Sequence, residues 1–331
     1  MISGYRIRKI LAQAGIDGFL ALLIAAVVLA WLFPEIGVGE GIFSLSSIAN
    51  YGISVIFFFY GLRLTREKLR TGLGNWKLHV LIQLTTFALF PLLVLPLRPL
   101  FQGEDNTLLW LGIFYLAALP STVSSSVVMV SIAKGNMPAA IFNASISSLI
   151  GIFITPLWMS LILSDVAAGA ELWTIIGKLI LQIFLPVALG MALNRRWGAF
   201  AEKHGSKLRM FDQSVILLIV FTSFGASFAH NVFENFSWFT IIACSVLMIV
   251  LFYVVCGIVG FLCRRFKMTR EDTITALFCG SKKSLVHGTA MAKVIFAGYG
   301  GVGVILLPIM IYHTFQLIIV SAIAKRYSEK I

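Results

Sequence analysis

The sequence predicts an all-α polytopic membrane protein: ten transmembrane helices as two inverted five-helix repeats, with the fourth and ninth helices broken. Three observations carry that prediction. Hydrophobic residues make up 59% of the 331 positions and charged residues only 12%, against about 25% charged in ordinary soluble domains; mean hydropathy is +0.95. Apolar windows of the roughly 20 residues that a bilayer crossing requires recur along the whole chain. Basic residues collect in alternate connections between those windows, the arrangement that orients membrane helices.

The first span is read at 16–34, after a basic start with Arg6, Arg8 and Lys9. It has the look of a signal peptide, but no small-residue cleavage site follows and many spans do, so it is expected to stay. The second, 42–62, ends in Arg63, Arg66, Lys68 and Arg70. The third covers 77–97, and the fourth, 107–133, is interrupted at 119–126. The fifth, 138–163, leads through a loop with Asp165 and Glu171 to the sixth, 172–193. A loop at 194–210 holds Arg195, Arg196, Lys203, Lys207 and Arg209. The seventh span is 211–230, and the eighth, 237–262, ends in Arg264, Arg265, Lys267 and Arg270. The ninth, 272–296, is interrupted at 278–288, and the tenth, 302–324, ends in Lys325, Arg326 and Lys330.

The net charge of +12 would suggest nucleic acid in a soluble protein. Here the charges lie in loops and set topology, so the expected partners are membrane lipids and no nucleic acid. Basic connections after even-numbered spans put both termini in the cytoplasm, with a bacterial inner membrane as the expected location. Division between spans five and six gives halves 1–165 and 166–331 with five spans each. An odd number inserts the halves in opposite orientations, and the interruption falls in the fourth span of each. Matched interruptions in inverted halves point to a binding site at the membrane midplane.

Candidate residues follow from polarity at membrane depth. A lysine near the bilayer centre costs at least about 2.5–3.5 kcal/mol, and span nine carries two in Cys279-Gly-Ser281-Lys282-Lys283-Ser284, with His287 beyond. If helical, the lysines point about 100° apart, so one is expected to face a cavity and the other to snorkel, with His287 on the Lys283 face. No acid inside a span is expected to neutralise them. Either their partner is an anionic substrate or backbone carbonyls at a half-helix C-terminus, or desolvation depresses a lysine pKa. In span four, Pro120 breaks the helix. Ser121, Thr122, Ser124, Ser125 and Ser126 supply more hydroxyls than a proline kink requires, beside a half-helix N-terminus that favours an anion. Asn143 and Ser147 share a face of span five, and Gln83 and Thr86 offer oxygens in span three.

Several features carry less. The four cysteines read as small buried apolar residues, and no metal-ligand cluster or catalytic triad is present. Gly298-Tyr-Gly-Gly-Val-Gly303 lacks the βαβ context of a nucleotide fingerprint. His313 and Gln316 face either the cavity or a neighbouring helix. Asn235-Phe-Ser237 is a glycosylation sequon in a short loop.

Phe278-Cys-Gly-Ser-Lys-Lys-Ser-Leu285, Leu119-Pro-x-Thr-Val-x-Ser125, Asn143-Ala-Ser145, Ser147-Ser-Leu-x-Gly-Ile152 and Leu307-Pro-x-Met310 resemble the sodium/bile acid symporter family. The match is to its divergent branch of bacterial symporter-like proteins related to the orphan seventh vertebrate member. The resemblance implies a core domain (spans 3–5 and 8–10), a panel domain (spans 1, 2, 6 and 7), and broken helices four and nine crossing at the substrate site. It implies secondary transport of a small organic anion by alternating access, with no cofactor beyond a coupling ion, sodium or a proton. Ser121, Thr122, Ser124, Ser281, Lys282, Lys283, Ser284 and His287 would then bind substrate. Gln83, Ser125, Ser126, Asn143 and Ser147 fit the family's sodium positions. The span-nine part of those positions departs from the pattern: a glutamate position falls near Cys279, and polar positions fall near Lys282 and Lys283. A lysine there repels a cation and supplies its charge, so at least one sodium site is expected to be lost. Two alternatives stand beside this reading: a carrier-like protein acting on ion homeostasis without ordinary transport, and an intramembrane enzyme using Lys283 and His287.

Overall fold

The computed structural model describes residues 18–39, 41, 44–63, 75–163, 177–178, 180–234, 237–297 and 300–329. Arg6, Arg8, Lys9, Arg66, Lys68, Arg70, Asp165, Glu171, Asn235, Gly298 and Lys330 lie outside the described residues, as does the side chain of Ser124. Among the described residues every regular element is helical and there is no strand.

The helices are α1 (Gly18–Leu32), α2 (Pro34–Val38), α3 (Leu45–Arg63), α4 (Trp76–Leu100), α5 (Glu104–Ala118), α6 (Ser124–Ile132) and α7 (Met137–Leu163). They continue as α8 (Leu185–Lys203, entered through a π turn at Ile180–Phe184), α9 (Gly205–Ala229), α10 (Trp238–Arg265), α11 (Arg270–Gly280), α12 (Leu285–Ile295) and α13 (Val302–Glu329). Among the described residues, α3, α4, α7, α9, α10 and α13 are long and apolar enough to cross a membrane. The interrupted spans resolve into half-helices of 15 and 9 residues (α5, α6) and of 11 and 11 (α11, α12). At 1.5 Å per residue, 11 residues reach about 17 Å of a roughly 30 Å hydrocarbon core, so each pair crosses only as a pair.

Local chemistry accounts for five of the helix starts. Asn75, Asn136, Ser237, Thr269 and Ser284 each accept a backbone N–H three residues on, the N-cap bond. The 194–210 segment, expected as a loop, is helical: α8 runs to Lys203 and α9 begins at Gly205. Lys, Arg and Glu are good helix formers, so the helices outlast the apolar windows and leave only His204 between them. The expectation of no acid inside a span also needs correction near the starts of spans seven and nine. Asp212 on α9 pairs with Arg63 at 3.1 Å. Asp272, buried in the first turn of α11, accepts from Asn75 Nδ2 at 2.6 Å and Asn136 Nδ2 at 2.8 Å. One carboxylate thereby ties the starts of α4, α7 and α11 together.

Helices α1, α2, α3, α8 and α9 pack on one another, and α4–α7 pack with α10–α13. The two groups meet where α9 packs on α12 and α13, and α3 on α12. Close approach of α3 and α8 depends on paired glycines: a Cβ on Gly61 would strike the Val187 carbonyl, and one on Gly190 the Phe58 carbonyl. The outer faces stay apolar. Leu22, Ile24, Trp31, Phe153, Leu157, Leu161, Ile242, Val246 and Val250 are exposed on α1, α7 and α10. In water this belt would be an aggregation surface; in a bilayer it is the lipid-facing surface.

Candidate functional site at the two helix breaks

The site begins with a proline. Leu119, just before Pro120, is extended (ψ 153°), and the chain stays non-helical until α6 begins. The second break, at 281–284, runs between α11 and α12. The two breaks touch: Ser284 N–H donates to the Pro120 carbonyl at 2.9 Å. Gly151 on α7 makes room for this kink, since a Cβ there would lie 2.7 Å from the Pro120 ring.

A helix end buried in a membrane protein must satisfy its last carbonyls within the protein, and here the partners of Leu116, Ala117, Ala118 and Leu119 can be named. At the end of α5, Leu119 N–H serves Leu116 O and Thr155 Oγ1 serves Ala118 O at 2.7 Å. Lys283 Nζ serves both Ala117 O at 2.7 Å and Leu119 O at 2.9 Å. Its third bond, 2.7 Å, goes to Thr86 O on α4. That carbonyl is free for a reason visible in the sequence. The π turn at Thr85–Leu89 moves the Phe90 N–H onto Thr85 O. The next residue, Pro91, has no N–H to offer Thr86 or Phe87; Phe87 O is taken by Trp158 Nε1 at 2.8 Å. An ammonium has three donors, and Lys283 uses all of them. Its Nζ also stands 4.1 Å from the centroid of Phe90, a cation–π geometry, at the negative end of the α5 dipole.

The second break is held as completely. Gln316 on α13 clamps the Lys283 peptide from both sides, Oε1 accepting its N–H and Nε2 donating to its carbonyl, both at 2.9 Å. Tyr312 donates to Ser281 O at 2.6 Å, and Ser126 Oγ donates to Phe278 O at 3.2 Å. Neither lysine snorkels: Lys282 is 0% exposed and Lys283 1%. Lys282 Nζ instead meets Ser125 Oγ at 2.8 Å in the first turn of α6. That is its single hydrogen bond among the described residues, so it keeps donor capacity that Lys283 lacks.

The predicted site residues therefore fall into distinct neighbourhoods. Thr122 Oγ1 bonds Ser125 and Ser126 at 2.9 and 2.8 Å, next to Lys282. Ser121 N–H donates to Ser147 Oγ at 3.0 Å, while Ser121 Oγ is buried without a partner. Gln83 Nε2 donates to Asn143 Oδ1 at 3.2 Å, and Gln83 Oε1 is likewise buried without a partner. Ser281 turns its hydroxyl back onto Leu277 O at 2.6 Å, closing α11 instead of facing a cavity. Ser284 caps α12 and bonds His287 Nδ1 at 3.0 Å.

His287 does not share a face with Lys283, because the helix is interrupted at 281–284 and the helical register restarts at Leu285. Its ring packs edge-on against Phe57 and Tyr60 of α3. The Lys283–His287 pair required by an intramembrane enzyme is not formed among the described residues. Gln316 was visible in the sequence only as a polar residue at membrane depth. The Thr86 carbonyl had a sharper signal, the Thr-Thr-Phe-x-x-Phe-Pro91 run that removes its donors.

The family model described as the SBF-like CPA transporter family matches residues 17–329. A Pseudomonas aeruginosa protein, named Uncharacterized protein PA2026, is 39% identical over 314 residues, covering 95% of this chain and 93% of that protein. The Escherichia coli protein named Putative symporter YfeH is 35% identical over 316 residues, covering 95% and 94%. Sodium/bile acid cotransporter 7 of Rattus norvegicus is 30% identical over 327 residues, covering 95% and 93%. Broken apolar helices that meet at their breaks, a multi-pass array of helices and relatives matched over nearly their full length converge: this chain belongs to the SBF-like CPA transporter family.

Proposed function

We propose that this protein is a secondary active transporter of a small organic anion. In this reading its ten spans form two inverted repeats, a core of α4–α7 with α10–α13 moves against a panel of α1–α3, α8 and α9, and both termini are cytoplasmic in a bacterial inner membrane. The contact between the two breaks is the observation that carries it, because two fully buried lysines converge there. They do different work. Lys283 is a built-in cation, its three donors spent on carbonyls that would otherwise face an ion. Lys282 is the substrate's partner: it has donors to spare and lies at the N-terminus of α6, where helix dipole and ammonium favour the same negative group.

A fixed ammonium in place of a mobile cation removes part of the need for sodium. The hydrogen-bonded pairs Gln83–Asn143 and Ser121–Ser147 retain two unpartnered oxygens, Gln83 Oε1 and Ser121 Oγ. These are the residues that would hold any remaining coupling cation. The names of the relatives, a symporter and a sodium/bile acid cotransporter, support transport as the activity. The test is uptake of labelled organic anions into proteoliposomes with and without sodium. The expected result is uptake abolished by Lys282→Ala and only weakly dependent on sodium; strong sodium dependence in the parent protein would overturn the built-in cation.

A further inference from the structure

Away from the breaks, a small pocket of about 40 Å³ lies where the two helix groups meet. It is lined by Ile56, Phe57, Tyr60 and Arg63 of α3, Asp212 of α9, and Val286 and His287 of α12. Three of the buried polar atoms without a hydrogen-bond partner belong to its lining: Arg63 Nε, Asp212 Oδ1 and His287 Nε2. Buried polar groups are nearly always paired, so three orphans around one space ask for a common ligand.

The donor and acceptor pattern specifies that ligand. Arg63 Nη2 is engaged with Asp212 Oδ2 at 3.1 Å, leaving the Nε–H as a spare donor and Oδ1 as a spare acceptor. His287 is 6% exposed. Ser284 Oγ already accepts the His287 backbone N–H, and its own proton has His287 Nδ1, 3.0 Å away, as acceptor. In the tautomer whose Nδ1 accepts the Ser284 proton, Nε2 carries the imidazole hydrogen and gives the pocket a second N–H donor, and the proposed ligand selects that tautomer. Arg209, one turn before Asp212 on α9, adds a positive charge nearby. Two N–H donors with surplus positive charge suit a carboxylate; one carboxylate acceptor beside them suits a hydroxyl or ammonium on the same molecule. Phe57, Ile56 and Val286 leave apolar walls for a short carbon skeleton.

We propose that this pocket is a second subsite of the transport pathway and binds the head of a small hydroxy- or amino-carboxylate, with Arg63 and His287 holding the carboxylate and Asp212 holding the donor. The inference rests on the transporter reading for the identity of the cargo. Its geometry is separate from the lysine site. The pocket spans α3 and α9 on one side and α12 on the other, so an occupant would bridge the surfaces that move in alternating access.

The test uses purified full-length protein in lipid nanodiscs, with glycolate, acetate and 1,2-propanediol as probes and thermal stabilisation as readout. Glycolate is expected to stabilise more than acetate, and propanediol not at all. Arg63→Lys, which keeps the ion pair with Asp212 but deletes the Nε–H, and His287→Ala should each raise the half-saturating glycolate concentration about tenfold or more, the loss expected for a charge-assisted hydrogen bond. Asp212→Asn should narrow the preference for glycolate over acetate. If Arg63→Lys fails to fold, the Arg63→Asp/Asp212→Arg exchange restores the pair and should still lose the preference. No glycolate effect in the parent protein, or one unchanged in Arg63→Lys and His287→Ala, overturns the subsite. A shift lost only in Lys282→Ala also overturns it and leaves the lysine site standing. Stabilisation with the expected variant pattern but no glycolate counterflow in proteoliposomes keeps the subsite and removes the transporter reading.

Discussion

Replacing Lys283 by alanine tests the built-in cation directly. The ammonium makes three hydrogen bonds, of 2.7, 2.7 and 2.9 Å, to Thr86, Ala117 and Leu119. Its removal leaves three buried carbonyls unpaired at about 1–3 kcal/mol each, a loss between about 3 and 9 kcal/mol. The lower end is expected, because a carbonyl with two lone pairs tolerates under-satisfaction better than an orphaned N–H. The vacated space then faces three hard oxygens, two at the negative end of α5 and one on α4, a setting suited to a small cation. Sodium at a hundred times its dissociation constant would restore about 2.7 kcal/mol. The assay is thermal unfolding of detergent-purified protein in sodium chloride against choline chloride at equal ionic strength. The parent protein should be indifferent to the cation, and Lys283→Ala should be destabilised and markedly rescued by sodium. Equal sodium responses in the two proteins would refute the reasoning, since the ammonium would not then occupy a cation's place.

Three further outcomes follow from the same geometry. Gly151→Ala places a Cβ 2.7 Å from the Pro120 ring and should cost about 1–3 kcal/mol through overpacking, read as a lower unfolding midpoint; an unchanged midpoint would show that the kink shifts freely. Asp272→Ala orphans the amides of both Asn75 and Asn136, at about 1–3 kcal/mol for each buried donor. Asp272→Asn, which keeps one acceptor, should lie between the parent and Asp272→Ala in the same measurement. Pro91→Ala restores a backbone N–H that can serve Thr86 or Phe87. It should weaken the hold on Lys283 and speed amide exchange around Lys283 and Leu285; exchange identical to the parent would detach the proline from the site.

The parts of this architecture legible in the sequence are those set by residues acting on their own backbone. Pro120 forbids a helix at Leu119 and the chain breaks there; the glycine, serines and lysines of 280–284 mark the second break within a few residues. Long apolar windows became long apolar helices. What stayed hidden depended on contacts between distant segments. The same lysine side chain could have snorkelled, faced a cavity or capped a helix; only the approach of α4 and the end of α5 selects capping. Periodicity assumes a continuous helix and so puts His287 on the Lys283 face; the four-residue break at 281–284 resets the register. Arg63 looked like one more topology-setting arginine, because its partner Asp212 lies 149 positions away.

In the proposed transporter the two lysines divide the labour. A buried charge is tolerated where all its donors are satisfied, and Lys283 meets that condition without an acid, using only carbonyls freed by Pro91 and Pro120. Because those carbonyls come from two segments, α4 and the end of α5, the ammonium also pins the crossing mechanically. It cannot leave as an ion would. A transporter whose cation is tethered must release its substrate by another change of local charge or contact. The under-used donors of Lys282 and the Arg63–Asp212–His287 pocket are the places where such a change can act, because each retains polar atoms unspent within the protein. If Lys282 and the pocket hold the same anion in succession, variants at the two should impair different steps: Lys282→Ala binding itself, and Arg63→Lys the exchange of bound anion across the membrane.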